Sequence, residues 1–415
     1  MRNQLNIGLF GFGCVGNGLF EVLNQSNLLD AKISAIVVKN PAKVRSLSAE
    51  HFSYDKKTIL DNPEINVVVE LIDDSAAAFE IVSEAIRKGK HVVTANKKML
   101  AENLTVLLQL AAENRVSLLY EGAVGGSIPI IRNLEEYYNN DSLSGIQGIV
   151  NGTTNYILTQ TNAGKDYQTA LAEAQALGFA ETDPTLDVDG FDSKFKLVLL
   201  IKHAFGLTLK PEEVFNYGIR HIKEQDVRFA AEKGYRLKLF SRAEKIGSQL
   251  VGFVAPHFIQ ENNAAYNVND EFNAVVVEAL FSDRQLFLGK GAGAYPTASA
   301  VLSDISALQF DYQYEYRKSQ DTEANGYSED FFLKVYIGSE YLQSINEIPF
   351  YKVDELYQSE NYNFQIGWVK FSELSTFNFN QLQDRFLAVL PEAFLTEDQF
   401  SEQKAETLFV QEIYN

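Results

Sequence analysis

Cysteine is nearly missing from this chain of 415 residues. Cys14 is the only one, which excludes an intrachain disulfide and a cysteine-cluster metal site. Proline is scarce at nine positions, while hydrophobic residues reach 46% and charged residues 22%. That balance excludes a collagen-like, mucin-like or disordered chain. No apolar run reaches the roughly 18 residues that a membrane-spanning helix needs. Basic residues are in deficit, 36 against 55 acids, for a net charge of -19. Such a surface repels phosphate backbones and anionic lipid, so neither nucleic acid nor membrane is an expected partner. The N-terminus lacks the apolar core and small-residue cleavage site of a signal peptide, and a cytoplasmic location is expected. At roughly 150 residues per domain, the length predicts two or three domains.

Two hydrophobic periods alternate in the first part. Apolar runs at Leu5–Phe10, 33–38, 67–72, His91–Thr94 and 116–120 read as strands. Helical spacing separates them at Leu19, Phe20, Val22 and Leu23, at 75–88 and at 105–113. Short continuous strands alternating with helices predict a parallel sheet covered on both faces, the α/β Rossmann-type class. After residue 122 the order changes. Helices are expected at 128–138, 167–177, 191–204 and 212–216, and strands at 145–150, 238–243, 250–254, 273–278 and 285–288. This is an α+β pattern.

Domain limits follow as 1–122 for the parallel sheet, completed by a returning helix 296–325 with Pro296 in its first turn. Residues 123–295 are expected to form the α+β second domain, and 327–415 a third α/β unit. That last stretch holds fifteen acids against five bases, yet its nineteen aromatics mark it as folded.

Gly11-Phe12-Gly13-Cys14-Val15-Gly16 follows the first strand and opens a helix. Gly11 permits the tight turn, Gly13 lets backbone approach a pyrophosphate, and Gly16 lets the helix pack on the strand. The helix start then offers unpaired N–H groups to the phosphates. The second strand ends in Val38-Lys39-Asn40 with Arg45 beyond, and no acid is present to bond a ribose 2′-hydroxyl. A cationic end suits a 2′-phosphate, so NADP is expected over NAD, with NAD possible. Cys14 reads as a small packing residue of this turn.

Strand His91–Thr94 runs into Ala95-Asn96-Lys97-Lys98. Ligands of open parallel sheets sit beyond the strands' carboxyl ends, so Thr94, Asn96 and Lys97 should face the crevice. A denser constellation runs from Glu181 through Asp183, Asp187 and Asp189 to Asp192 and Lys196. Asp192 and Lys196 stand four apart on one helical face. The apolar run Leu197–Ile201 that follows demands burial, and a buried pair is costly unless it serves a purpose. The loop lacks the Gly and Glu spacing of an EF-hand; its carboxylates suit a ligand ammonium better. Asn151-Gly152-Thr153-Thr154-Asn155 ends a strand and opens a helix, as an N-cap or a carboxylate receptor.

Taken in order, these pieces resemble the homoserine dehydrogenase family. They are Gly-Phe-Gly-Cys-Val-Gly at 11–16, His-Val-Val-Thr-Ala-Asn-Lys at 91–97, and Glu-Gly-Ala-Val-Gly-Gly-Ser-Ile-Pro-Ile at 121–130. Asn-Gly-Thr-Thr-Asn-Tyr-Ile-Leu at 151–158, the acidic loop 181–196, and Gly-Lys-Gly-Ala-Gly-Ala-Tyr-Pro-Thr-Ala-Ser-Ala at 289–300 complete the set. The resemblance covers about residues 4–310. It implies reduction of L-aspartate 4-semialdehyde to L-homoserine with NAD(P)H, on the route to threonine, methionine and isoleucine.

The resemblance implies catalytic roles for Lys97 and Lys196, with Asp192 as partner acid. It implies that Glu181 and Asp187 take the substrate ammonium and that Gly152 and Thr153 line its pocket. Gly291 and Ala292 would close the site beside the cofactor. Glu121, with the carbonyls of Val124, Gly126 and Ile128, would hold a monovalent cation, sodium by expectation. The resemblance makes 1–122 the NAD(P)-binding domain and 123–295 the substrate-binding, catalytic and dimerisation domain; it implies a homodimer or homotetramer, and no kinase segment ahead of the nucleotide domain.

Asp73-Asp74 stands where the family usually has glycines, and Phe179 where it often has Tyr. Residues 327–415 have the length of the family's βαββαβ regulatory (ACT) domain but lack its Asp-x-x-Gly-Val-Leu turn, Gly338-Ser339-Glu340-Tyr341-Leu342 being the nearest piece. A degenerate ACT-like unit serving assembly more than threonine inhibition is expected. Two other readings remain at this point: a non-catalytic NAD(P)-binding sensor, and another amino-acid semialdehyde dehydrogenase on the same fold.

Overall fold

A computed structural model describes residues 4–26, 29–320, 326–392 and 394–403. The first layer contains β1 (Leu5–Phe10), α1 (Cys14–Gln25), β2 (Ala31–Val37), β3 (Phe52–Ser53), α2 (Lys57–Leu60) and β4 (Val67–Glu70). It continues with α3 (Ser75–Arg87), β5 (His91–Thr94), α4 (Lys97–Asn114) and β6 (Leu118–Leu119). The strands form a parallel sheet in the order β3-β2-β1-β4-β5-β6. Ile7, Leu9, Val67, Val68, Val69, Val92 and Val93 are fully buried, as a sheet covered on both faces requires. Strand order reverses between β1 and β4, which opens a crevice at their carboxyl ends. Helix α4 begins eight residues before the expected 105, because Asn96 caps it by accepting the Met99 N–H at 3.0 Å.

The second layer contains α5 (Ile130–Glu135), β7 (Leu143–Ile149), α6 (Gly152–Asn162), α7 (Tyr167–Ala176), α8 (Thr185–Val188) and α9 (Phe191–Phe205). Then come β8 (Phe215–Asn216), α10 (Glu224–Glu232), β9 (Arg236–Ile246), β10 (Gln249–Ile259), β11 (Phe272–Ala279), β12 (Asp283–Lys290) and α11 (Ala294–Leu308). Helix α9 is buried along its whole length except at Phe191. It packs on β9 and β10 of this layer and also on α4 of the first.

Two expected helices differ. Residues 212–216 form a short turn and β8, which pairs with β10 and packs Phe215 against Phe371 and Phe379. The returning helix is α-helical only over Ala294–Leu308, with one further tight helical turn at Arg317–Gln320. Between them, Tyr312, Tyr314 and Tyr316 lie on an extended strap whose Tyr314 hydroxyl accepts the Tyr120 N–H at 3.2 Å. Residues 321–325 of that expectation lie outside the described residues.

The C-terminal stretch contains β13 (Phe332–Ser339), α12 (Leu342–Asn346), β14 (Phe350–Gln358), β15 (Asn363–Lys370), α13 (Phe371–Leu374) and β16 (Arg385–Val389). Its strands run antiparallel in the order β16-β13-β15-β14. This unit is not separate from the second layer, contrary to expectation. β16 pairs in parallel with β10, His257 opposite Val389, and one sheet runs through both. Phe253, Phe331, Phe371 and Phe394 fill the seam, with the Phe331 and Phe371 rings stacked at 4.6 Å. Residues 404–415 of the expected unit lie outside the described residues.

Candidate active site

The glycine turn forms as its sequence requires. Gly11 has φ +92°, and a β-carbon there would overlap the Leu71 carbonyl. Gly13 faces open space and precedes α1 without a side-chain cap. Among the described residues, the N–H groups of Cys14, Val15 and Gly16 have no acceptor, so the helix start is free to receive phosphate oxygens. Phe12 contributes backbone only: its ring is buried between Phe20 and Phe52. Cys14 is exposed and so is not a packing residue.

The residues expected around the adenosine and nicotinamide take varied places. Lys39 is 94% exposed, with its ammonium 3.9 Å from Asp74. Arg45 folds back on its own loop, donating to the carbonyls of Lys43 and Asn40 at 2.8 Å each and covering the Phe52 ring. Thr94 is buried and donates to Glu70 at 2.6 Å, while Asn96 is committed to its cap and to the Ile72 carbonyl. Both side chains therefore shape the crevice wall and do not project from it. Burial pushes the Glu70 carboxyl up to about 7 against its bonds from Thr94 and the Ile72 N–H. Gly291 lies against the buried side chain of Asn273, and Ala292 follows in the crossover to α11.

Two ammonium groups meet one carboxylate. Lys97, the first residue of α4, places Nζ 2.9 Å from Asp192 Oδ1. Lys196, one turn along α9, places Nζ 2.7 Å from Asp192 Oδ2 and donates to the Val150 carbonyl at 2.6 Å. Asp192 and Lys196 are buried, and the Lys97 side chain is 42% exposed. Burial favours the neutral acid at Asp192, but Lys196 and Lys97 together outweigh it and hold the carboxyl well below its ordinary value. Burial lowers Lys196, helped by the charge of Lys97 and opposed by Asp192. The charge of Asp192 raises Lys97 against its partial desolvation. The cluster thus keeps one anion and two nearby cations of unequal acidity at one mouth.

Asn151 organises the acidic loop, a role that its capping position at the start of α6 did not disclose. Its Nδ2 donates to Asp187 at 2.7 Å and to Asp192 at 2.9 Å, while its Oδ1 caps α6 through the Thr154 N–H. Burial and the neighbouring Asp192 raise Asp187. Thr153 is buried and its hydroxyl donates to the Phe179 carbonyl at 2.6 Å; Gly152 sits beside it against the Glu271 carbonyl. Glu181 is exposed, and its backbone carbonyl accepts Gln175 Nε2 at 3.0 Å.

Glu121 is buried, and its two carboxylate oxygens accept the Ile131 and Arg132 N–H groups at 2.9 Å each. Burial pushes it up to about 7 against those bonds. Among the described residues, no group of three or more His, Cys, Asp or Glu side chains could hold a metal ion. Nor is any helix there long and apolar enough to cross a membrane.

A glycine turn opening a helix at a sheet reversal, together with two lysines gathered on one carboxylate, fits a nicotinamide-dependent oxidoreductase. The family model described as "Homoserine dehydrogenase, NAD binding domain" matches residues 11–121, and that described as "Homoserine dehydrogenase" matches residues 129–306. The homoserine dehydrogenase of Lactococcus lactis subsp. lactis is 38% identical over 313 residues, covering 72% of this chain and 73% of its own. A homoserine dehydrogenase structure from Thiobacillus denitrificans superposes with a TM-score of 0.82 at 29% identity, covering 94% of this chain and 98% of that one. A hyperthermophilic archaeal homoserine dehydrogenase mutant in complex with NADPH gives a TM-score of 0.64 at 25% identity, over 75% of this chain and 99% of its own. The chain belongs to the homoserine dehydrogenase family. Its activity is the NAD(P)H-dependent reduction of L-aspartate 4-semialdehyde to L-homoserine.

Proposed function

We propose that Lys97 and Lys196 carry the chemistry of this reduction and that Asp192 sets their positions. When bound, the nicotinamide supplies a hydride to the aldehyde carbon. The two ammonium groups then stabilise the charge growing on the oxygen, and one delivers the proton directly or through a water. Lys196 is the better acid by its burial, while Lys97 is the more accessible. Asp187 faces the same mouth and is placed to take the substrate ammonium. Glu181, on the same acidic loop, would join it there. The convergence of both lysines on Asp192 supports this reading most strongly. Lys196→Ala tests it: kcat should collapse with NADPH binding unchanged, and an unchanged kcat would remove Lys196 from the mechanism.

NADP is the preferred cofactor in this reading. The first turn of α1 would hold the pyrophosphate, and exposed Lys39 is free to swing toward a 2′-phosphate, whereas Arg45 must first leave its loop. The NADPH complex of the archaeal relative supports the same choice.

The loop 121–128 fits a monovalent cation such as sodium in part. The carbonyls of Val124 and Gly126 accept no hydrogen bond among the described residues. The Ile128 carbonyl accepts the Ile130 N–H at 2.9 Å, and Glu121 supplies a nearby carboxylate already engaged by α5. A cation there would offset that buried charge and stiffen the link between the layers.

We further propose a homodimer in the cytoplasm, with a homotetramer as the larger alternative. Leu280, Phe281, Leu286 and Leu288 are exposed on and beside the β11–β12 hairpin, an apolar surface that a second copy would cover. The C-terminal unit, with the βαββαβ order but helices of only five and four residues, serves as a structural ACT-like element.

A further inference from the structure

The acidic loop is held from behind by a residue of the C-terminal unit. Asn380 lies in a single helical turn, Phe379–Gln381, between α13 and β16. Its Nδ2 donates to the Asp189 carbonyl at 3.2 Å and to the Asn216 carbonyl at 3.1 Å. Its Oδ1 accepts the Gly218 N–H at 3.2 Å, and its own carbonyl meets His221 Nε2 at 3.0 Å. One side chain thereby ties the C-terminal unit to two segments of the second layer.

Asp189 is the joint between α8 and α9. Asp187 projects from α8 toward Asn151, and Asp192 projects from the first turn of α9 toward both lysines. The Asp189 carbonyl also accepts Asn216 Nδ2 at 2.7 Å, and its carboxylate is gripped by Arg220 at 2.6 and 3.0 Å. The partner segment cannot drift away: Ile219 N–H donates to the Val188 carbonyl at 2.6 Å. Gly218 crosses so close to Val188 and Asp189 that any β-carbon would overlap their backbone. Phe379, beside Asn380, is buried against Tyr217 at 5.6 Å, which fixes the turn itself.

We propose that Asn380 is a positioning residue through which the C-terminal unit sets the angle between Asp187 and Asp192, and so the geometry of the substrate site. The inference rests on the reading of Asp187, Asp192 and the two lysines given above. Asn380 itself lies behind the joint and makes none of its hydrogen bonds to those four residues. Its carboxamide acts because it supplies two donors and one acceptor on a planar group, a set that no apolar or acidic side chain reproduces. A shift of the 377–385 segment would be felt at Asp189 before any other part of the site.

The test uses the full chain with Asn380→Ala, Asn380→Ser and a Lys196→Ala control. Steady-state rates with L-aspartate 4-semialdehyde, NADPH titration by fluorescence, melting temperature and the pH profile of kcat are measured for each. For Asn380→Ala the expected result is a rise of at least fivefold in KM for the semialdehyde. The alkaline limb of kcat should also shift, because Lys196 and Lys97 titrate against Asp192 and Asp187, whereas the Kd for NADPH should stay within twofold. Lost packing alone would lower kcat through the active fraction, with KM and the pH profile unmoved. That result, or wild-type parameters, overturns the proposal. Where Asn380→Ala fails to fold, Asn380→Ser is judged by the same criteria. If Lys196→Ala keeps its kcat, the catalytic reading itself fails; if it loses kcat while the Asn380 variants behave as wild type, only the positioning role does.

Discussion

Lys97, at the start of a helix on the nucleotide-binding sheet, stands 2.9 Å from Asp192, at the start of the central helix of the other layer. This ion pair spans the crevice between the two layers. It gives the ammonium of Lys97 a buried partner, unlike a solvated lysine of a strand end. Because Asp192 also holds Lys196, a single carboxylate sets the spacing of both cations.

Removing Lys196 should lower kcat by on the order of 100- to 10,000-fold, the range of a lost general acid with its charge. Asp192 would keep Lys97 as partner, so the fold should survive. Initial rates with purified Lys196→Ala, beside an NADPH titration, check both halves.

Asp192→Asn should move the alkaline limb of the pH–rate profile to lower pH. Asp192 pulls both lysines upward by its charge and its hydrogen bonds, so that Lys97 is raised and the lowering of Lys196 by burial is opposed. Neutralising it removes that support, and each ammonium loses its proton more readily while burial still disfavours the charged form. Rates of semialdehyde reduction across neutral to alkaline pH report the shift; an unmoved limb would show that neither lysine governs it.

Lys39→Ala should weaken NADPH by about tenfold, the equivalent of roughly 1.4 kcal/mol, and leave NADH nearly unchanged. The lysine is exposed, so its loss costs no packing. Km values for the two cofactors give the answer, and equal losses would deny a 2′-phosphate contact.

Lys238 offers a stability test remote from catalysis. It is fully buried, bonds Asn155 at 3.0 Å and the Val268 carbonyl, and burial depresses it to about 7 from 10.5. A base depressed in the folded state favours folding fully above the unfolded value, and that contribution is lost as pH falls from 10.5 through 7. The melting temperature of wild type minus that of Lys238→Met should therefore rise between pH 7 and 9.

Threonine at millimolar concentration should inhibit the enzyme weakly. The C-terminal unit has short helices and lacks the effector turn named above, and its sheet is continuous with that of the second layer. Dose–response curves of the reduction rate suffice; strong inhibition would assign the unit an effector site.

The amino-acid sequence alone determined the alternation of strands and helices, the glycine turn and the identity of the charged residues at the site. Each of these is local: hydrophobic period, backbone freedom at Gly11, and charge carried by side chains a few residues apart. Tertiary structure decided which of those residues meet. Asn151 reads as an N-cap in sequence and becomes the bridge between Asp187 and Asp192 only when β7 packs beside α9. Glu181 belongs to the same acidic run as Asp187 yet is exposed where Asp187 is half-buried, with the short helix Thr185–Val188 between them. The fusion of β16 to β10, and with it the hold of Asn380 on Asp189, carries no sequence signal at all. Strand pairing between distant segments depends on which edges packing leaves exposed, and a linear pattern of apolar residues does not encode that.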